Sequence, residues 1–151
     1  MKRKSLVNVI LLVVLLMLPS NAHAQVPVKL WIHGDYVSTD AYPYIEKGRT
    51  LVPLRVISES LGYDVNWDQG TRQVTVEKNG KSIQLVINSN QVLVKDSSGE
   101  RTITIDVAAG ISNDRTFVPL RAVAELFGET VNWDGKYRTA IVGEGLSLIH
   151  I

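Results

Sequence analysis

The sequence predicts an α+β fold in which two short helices pack on antiparallel β-sheet, and three observations favour it. One pattern occurs twice, at residues 49–76 and 115–142, with half of the aligned positions identical. Each copy contains one short amphipathic segment of helical period. Runs of alternating apolar and polar residues surround both copies, as in half-buried strands. Because the link between the copies itself has strand character, residues 26–143 are predicted to form one pseudo-symmetric domain.

The first copy predicts a strand followed by a helix. Residues 50–52 are expected to be extended, because a residue before proline avoids the helical region. Pro53 suits the first helical turn, where its missing N–H costs nothing, and Gly62 suits a left-handed cap at the helix end. The apolar stripe of this helix is formed by Leu54, Ile57 and Leu61. The second copy repeats the pattern from Pro119 to Gly128.

A strand is expected after each helix, at 64–67 and 130–133. Its alternation places Trp67 on one face with a valine, and Trp133 likewise, so we expect both rings to pack in the core. The aspartate that ends each strand, Asp68 or Asp134, is expected to hydrogen-bond the backbone of the following turn. Paired carboxylates can cut a glycosidic bond, and these two hold equivalent positions, but the structural role is the preferred interpretation.

Hairpins are predicted before and between the copies. Asn79-Gly80 is a strong two-residue turn signal, and a second turn is expected at residues 96–99. The alternating segment 26–32 should form a strand that turns at Gly34. In that strand Trp31 lies on the face opposite the apolar residues, beside His33. We therefore predict that Trp31 and His33 face solvent or a partner, the alternative being that a helix or loop covers them.

The N-terminus has the form of a secretory signal peptide over residues 1–24, with cleavage after Ala24. A basic start leads into an apolar run that ends before a small-x-small motif. The alternative is an uncleaved anchor, but the run of roughly 13 apolar residues is short of the about 20 that span a membrane. We therefore expect an extracytoplasmic protein, secreted or associated with the cell wall, without a membrane span after cleavage.

Charge and composition exclude several classes of function. Removal of residues 1–24 takes away three of the 16 basic residues and none of the 15 acidic ones, leaving a net charge of −2. Nucleic-acid binding relies on a positive surplus, so it is not expected. The chain has no cysteine, so its core must be stable without disulfides.

The repeated Arg-Thr-(Leu/Phe)-Val-Pro-Leu-Arg and Val-Asn-Trp-Asp segments resemble the stalk domain, a module named for the N-terminal domain of some copper amine oxidases. The resemblance covers nearly all of the chain after residue 24. It implies an extracytoplasmic α+β module found beside cell-wall hydrolases or other surface domains. It does not imply oxidase activity, since the copper, quinone and catalytic base of amine oxidases belong to other domains. Their copper sites use three histidines, whereas only His33 and His150 follow residue 24.

The sequence contains no catalytic, cofactor-binding or metal-binding motif that we could assign. We therefore predict a non-catalytic, exported binding or spacer module at the envelope, whose partner is cell-wall polymer or a neighbouring domain. The alternative is an accessory N-terminal domain of a larger secreted enzyme, such as a wall amidase or glycosidase, that is truncated here. Residues 144–151 form a tail, and residues 146–151 match the translation of a sequencing adapter. A genuine last strand is the other reading of that tail.

Overall fold

The computed structural model describes residues 26–144, which contain thirteen strands and two helices and confirm the α+β prediction. The predicted signal peptide, its cleavage after Ala24 and the segment 146–151 lie outside the described residues. The strands are β1 (Lys29–Ile32), β2 (Asp35–Val37), β3 (Tyr44–Glu46), β4 (Arg49–Pro53), β5 (Asp64–Asp68), β6 (Gln73–Lys78), β7 (Lys81–Val86), β8 (Gln91–Asp96), β9 (Gly99–Thr104), β10 (Gly110–Ser112), β11 (Arg115–Pro119), β12 (Val131–Asp134) and β13 (Thr139–Val142). The helices are α1 (Leu54–Ser60) and α2 (Leu120–Leu126).

The strands form three sheets, with the orders β12-β13-β1-β2, β10-β11-β4-β3 and β5-β6-β7-β8-β9. Neighbouring strands are antiparallel except β1 and β13, which run parallel. A parallel neighbour requires a long connection, and here almost the whole described chain lies between the two strands. The predicted antiparallel sheet is therefore confirmed, with this one parallel pair added.

The two copies of the repeat are related by a local two-fold axis. Strands β4 and β11 pair antiparallel, with Val52 opposite Val118, and these two valines occupy the same position in the two copies. The axis therefore passes between them. Helix α1 contacts β11, and helix α2 contacts β4, so each helix packs on a strand of the other copy. The copies thus share one continuous set of buried apolar side chains.

The helices begin and end largely as the sequence predicts. Pro53 has φ −61° and ψ 120°, so it is the last residue of the strand and the helix begins one residue later than expected. Its extended ψ keeps it in the ladder, where it faces Phe117. Gly62 and Gly128 have φ of 77° and 84°, which confirms the left-handed caps.

The ends of the two helices meet in the core. The rings of Tyr63 and Phe127 stack with their centroids 4.3 Å apart. Two lysines bind the free carbonyls there: Lys78 Nζ donates to the Leu61 oxygen at 2.6 Å, and Lys81 Nζ donates to the oxygen of the last α2 residue. A lysine at a helix C-terminus satisfies an orphan carbonyl and complements the helix dipole.

The predicted turns are present. Asn79 and Gly80 have φ of 49° and 78°, the left-handed pair of a type I′ hairpin. The turn at residues 96–99 joins β8 to β9. The N-terminal strand is shorter than predicted, because it begins at Lys29 and leaves Val26 62% exposed.

One buried hydroxyl gives a stability prediction. Ser58 in α1 is 0% exposed and its Oγ has no hydrogen-bond partner among the described residues, whereas the equivalent buried position in α2 is Ala124. An unsatisfied buried polar group costs about 1–3 kcal/mol. We expect Ser58→Ala to raise the free energy of unfolding by about 1 kcal/mol more than Ser60→Ala, measured by urea denaturation. Ser60 is exposed, so it controls for helix propensity. Equal or lower stability for Ser58→Ala would contradict the prediction.

Candidate functional site: two equivalent clefts

Two open clefts of nearly equal volume, about 890 and 850 Å³, flank the local two-fold axis. Cleft A lies at α1 and cleft B at α2. The residues that define cleft A include Arg55, Glu59, Trp67, Ile111 and Arg115. Those that define cleft B include Arg121, Glu125, Trp133, Ile45 and Arg49. Each of these pairs is separated by 66 positions, so the clefts are two copies of one surface.

The correspondence between the clefts is nearly complete. All cleft A lining residues except Gln69 and Arg72 have their repeat equivalents in cleft B. Each cleft is composite, because the start of one copy's helix and its tryptophan strand face the hairpin of the other copy. Neither copy could therefore form a cleft by itself.

An ion pair between the copies closes one side of each cleft. In cleft A, Arg115 Nη2 donates to Asp40 Oδ2 at 2.6 Å. In cleft B, Arg49 Nε donates to Asp106 Oδ2. Asp40 and Asp106 are also 66 positions apart, so the structural repeat begins earlier than residue 49. Neither carboxylate was predicted from the sequence as a site residue.

The guanidinium groups lower the pKa of both carboxyls. The side-chain hydrogen bond from Arg115, followed by its charge, lowers the pKa of Asp40. The hydrogen bond from Arg49, assisted by its charge, lowers the pKa of Asp106. Both residues are therefore anionic at neutral pH, and their partners are held in place as hydrogen-bond donors.

These shifts predict acid sensitivity. A lowered pKa in the folded state means that the ion pairs stabilise the fold above the unfolded pKa of about 3.9 and that this contribution is lost as pH falls through the lowered value. We expect the melting temperature to decrease below about pH 4, and to decrease less in Asp40→Asn/Asp106→Asn. Arg49→Gln/Arg115→Gln should reduce the acid-induced decrease equally. An unchanged profile in both variants would refute the assignment.

The two tryptophans are exposed, so the prediction that they pack in the core was wrong. Trp67 and Trp133 are 39% and 42% exposed. Strands β5 and β12 are edge strands, each with a single neighbour, and their tryptophans line the clefts. The Trp67 Nε1 donates to Gln69 Oε1 at 2.9 Å, which restrains the ring.

The helix in each cleft carries one more arginine and one more glutamate. Arg55 Nη1 donates to Glu59 Oε1 at 3.1 Å along α1, and both side chains are more than half exposed. Arg121 and Glu125 occupy the equivalent positions in cleft B. Cleft A is lined by three basic and three acidic side chains, and cleft B by two of each. Both clefts are therefore electrically balanced.

The strand-ending aspartates have the expected structural role. Asp68 Oδ1 accepts hydrogen bonds from the N–H groups of Gly70 at 2.8 Å and Thr71 at 3.3 Å. Asp134 Oδ1 accepts equivalent bonds from Lys136 at 2.9 Å and Tyr137 at 3.1 Å. Hydrogen bonds from Thr71 and Gly70 lower the pKa of Asp68. A general acid for glycosidic cleavage requires a raised pKa, so Asp68 is unsuited to that role.

Trp31 and His33 lie outside both clefts. Trp31 lies on the central strand β1 and is half-buried. The ring of Tyr36 in β2 packs edge-on against it, with the two ring centroids 4.7 Å apart. The Trp31 Nε1 is buried and has no hydrogen-bond partner among the described residues. His33 is exposed, and its Nε2 lies 2.9 Å from Glu129 Oε2. Their role as a ligand contact stays a prediction.

Two further features of residues 26–144 concern metal binding and membrane spans. Residues 26–144 include one histidine and no cysteine, and they contain no group of three or more His, Cys, Asp or Glu placed to hold a metal ion. This donor set does not fit a copper centre, which favours imidazole and sulfur ligands. No helix in residues 26–144 is long and apolar enough to cross a membrane.

The fold and clefts define a class of protein: a duplicated α+β module with two equivalent open surfaces. The chain belongs to the copper amine oxidase N-terminal domain family, whose pattern matches residues 31–142. This confirms the resemblance seen in the sequence. The family is an accessory N-terminal domain and not a catalytic one. Comparison with curated proteins gave no match.

Proposed function

We propose that this chain is a non-catalytic, exported module that binds polymer at the cell envelope through its two clefts. One observation favours this proposal above the rest: each cleft presents an exposed tryptophan together with an arginine–aspartate ion pair. Large aromatic rings and arginines dominate binding energies where proteins contact other molecules. A module that acted only as a spacer would not need two exposed rings in equivalent, solvent-open positions.

Further support comes from the chemistry of the clefts. Guanidinium groups bind two carboxyls of the clefts, those of Asp40 and Asp106, and lower their pKa. Catalytic acids and bases need pKa values near the working pH. These two carboxyls therefore suit recognition and are unsuited to proton transfer. The signal-peptide pattern of residues 1–24 favours action outside the cytoplasm.

Co-sedimentation with purified bacterial sacculi tests the proposal. The purified chain at micromolar concentration should pellet with sacculi and remain soluble without them. Trp67→Ala/Trp133→Ala should remain in the supernatant, whereas Tyr42→Ala should pellet normally. Tyr42 is 67% exposed and lies in neither cleft, so it is a matched aromatic control. Failure of the wild-type chain to pellet would refute wall binding.

A second candidate is an accessory domain of a larger secreted enzyme, such as a wall amidase or glycosidase. The family description favours it, because the matched domain is by name an N-terminal one. Sequencing the source DNA across codon 145 tests this candidate. An early stop codon would exclude it, and an open frame into a hydrolase would support it, with the clefts then directing that enzyme to its polymer.

A further inference from the structure

We infer that each cleft binds a stretch of a neutral pyranose polysaccharide and that both clefts bind at once, so that the chain is a bivalent glycan binder. The inference deepens the proposed function and rests on it. It names the class of ligand, the residues that bind it and the number of sites. Three properties of the clefts lead to it: their rings, their charge balance and their symmetry.

The rings suit a sugar. A pyranose presents a face of C–H groups and an equatorial rim of hydroxyls. Trp67 offers an exposed ring for the C–H face, beside the apolar side chains of Val56 and Ile111. Arg55, Glu59 and Arg115 line the same cleft and offer donors and acceptors for the rim. An apolar platform with a few fixed polar groups is the usual composition of a ligand site.

The charges select against a polyanion. Arg115 and Arg49 each already bind an aspartate of the other copy, and Arg55 binds Glu59. Arg72 in cleft A and Arg121 in cleft B have no ion pair with a carboxylate of residues 26–144. The equal numbers of basic and acidic side chains in each cleft nevertheless leave a phosphate-bearing polymer no net positive field. The affinity for a neutral hydroxyl group does not depend on the net charge of the cleft. Such a hydroxyl can hydrogen-bond to the outward N–H groups of a guanidinium that stays paired.

The symmetry favours a polymer of repeating units. The two clefts have the same tryptophan, isoleucine, glutamate, aspartate and two arginines at 66-position spacing, so they should have affinity for the same chemical group. A single small ligand would gain nothing from the second cleft. A repeating polymer presents many identical units, and occupation of the second cleft then becomes an intramolecular step at high effective concentration.

Isothermal titration calorimetry of the full chain with soluble hexasaccharides, namely chitohexaose, cellohexaose and mannohexaose, tests the inference. We expect a stoichiometry of about two for at least one of them. Trp67→Ala and Trp133→Ala should each reduce it to about one, and the double variant should show no binding. Tyr42→Ala should still show two sites. Melting temperatures of all variants check that the fold is retained.

The controls separate the inference from the proposed function. Binding should change less than about twofold between 50 and 500 mM NaCl, because the clefts carry no net charge. A steep salt dependence would overturn the inference in favour of an anionic polymer, as would no binding of any hexasaccharide at 1 mM. If sacculi still pellet the double tryptophan variant, wall binding stands and the cleft assignment fails. If wild-type chain binds hexasaccharide at two sites but does not pellet with sacculi, the wall is the wrong source of glycan.

Discussion

Trp67→Ala alone is expected to weaken binding to long polysaccharide strands by about 100-fold, although it removes only one of two clefts. With both clefts intact, a strand released from one remains held by the other and rebinds before it diffuses away. Linking two modest sites in this way raises the overall affinity by about 10²–10⁴-fold without any new contact. Loss of one ring removes that advantage and leaves a single weak site.

Surface plasmon resonance on immobilised polysaccharide measures this effect. The dissociation rate should increase about 100-fold in Trp67→Ala, while the affinity of the remaining cleft for a hexasaccharide in solution stays unchanged. Trp133→Ala is the matched variant and should behave alike, because its ring is exposed to a similar extent, 42% against 39%. A loss of only about twofold in both variants would mean that the clefts bind independently and that a strand never occupies both.

The sequence predicted most of the local structure, because the relevant signals are local. Gly62 and Gly128 needed left-handed φ, Asn79-Gly80 needed a tight turn, and the helix stripes needed burial. Each of these features depends on residues within one turn or one hairpin. The duplication repeats each of these signals, so both copies predict the same local structure.

The exposure of the tryptophans could not be predicted from the same signals. Period-two alternation shows that Trp67 and Val65 share a face, but it does not show which strand will be an edge. That depends on the order β5-β6-β7-β8-β9, which arises from contacts far apart in the chain. Trp31 is the opposite case, since it was predicted to be exposed and is half-buried. Its polar neighbours suggested an open face, yet its strand became central and Tyr36 covered it.

The clefts themselves had a weak signal that we missed. Asp40 and Asp106 have the same 66-residue offset as the rest of the repeat, and so do Ile45 and Ile111. Identities between residues 40–48 and 106–114 are too sparse to extend the alignment by sequence alone. The pairing of β4 with β11 brings both segments to the opposite copy, and only then does each aspartate meet its arginine.

Leu54→Ala and Leu120→Ala are expected to destabilise the whole described domain by about 2–5 kcal/mol each. Both leucines are 1% exposed, and each lies at the start of a helix that packs on a strand of the other copy. The cavity left by either substitution therefore weakens both copies together. A domain of this size has a total stability of about 5–15 kcal/mol, so each loss is a large fraction.

The form of the unfolding curve decides whether the repeat is one cooperative unit. Urea denaturation followed by tryptophan fluorescence and by far-UV circular dichroism should give coincident single transitions in wild type and both variants. Val86→Ala, at a site 38% exposed, should change stability by less than about 0.5 kcal/mol. Two separate transitions, only one of which shifts in Leu54→Ala, would show that the copies fold independently. The composite clefts would then not survive partial unfolding, because each takes its helix and its facing hairpin from different copies.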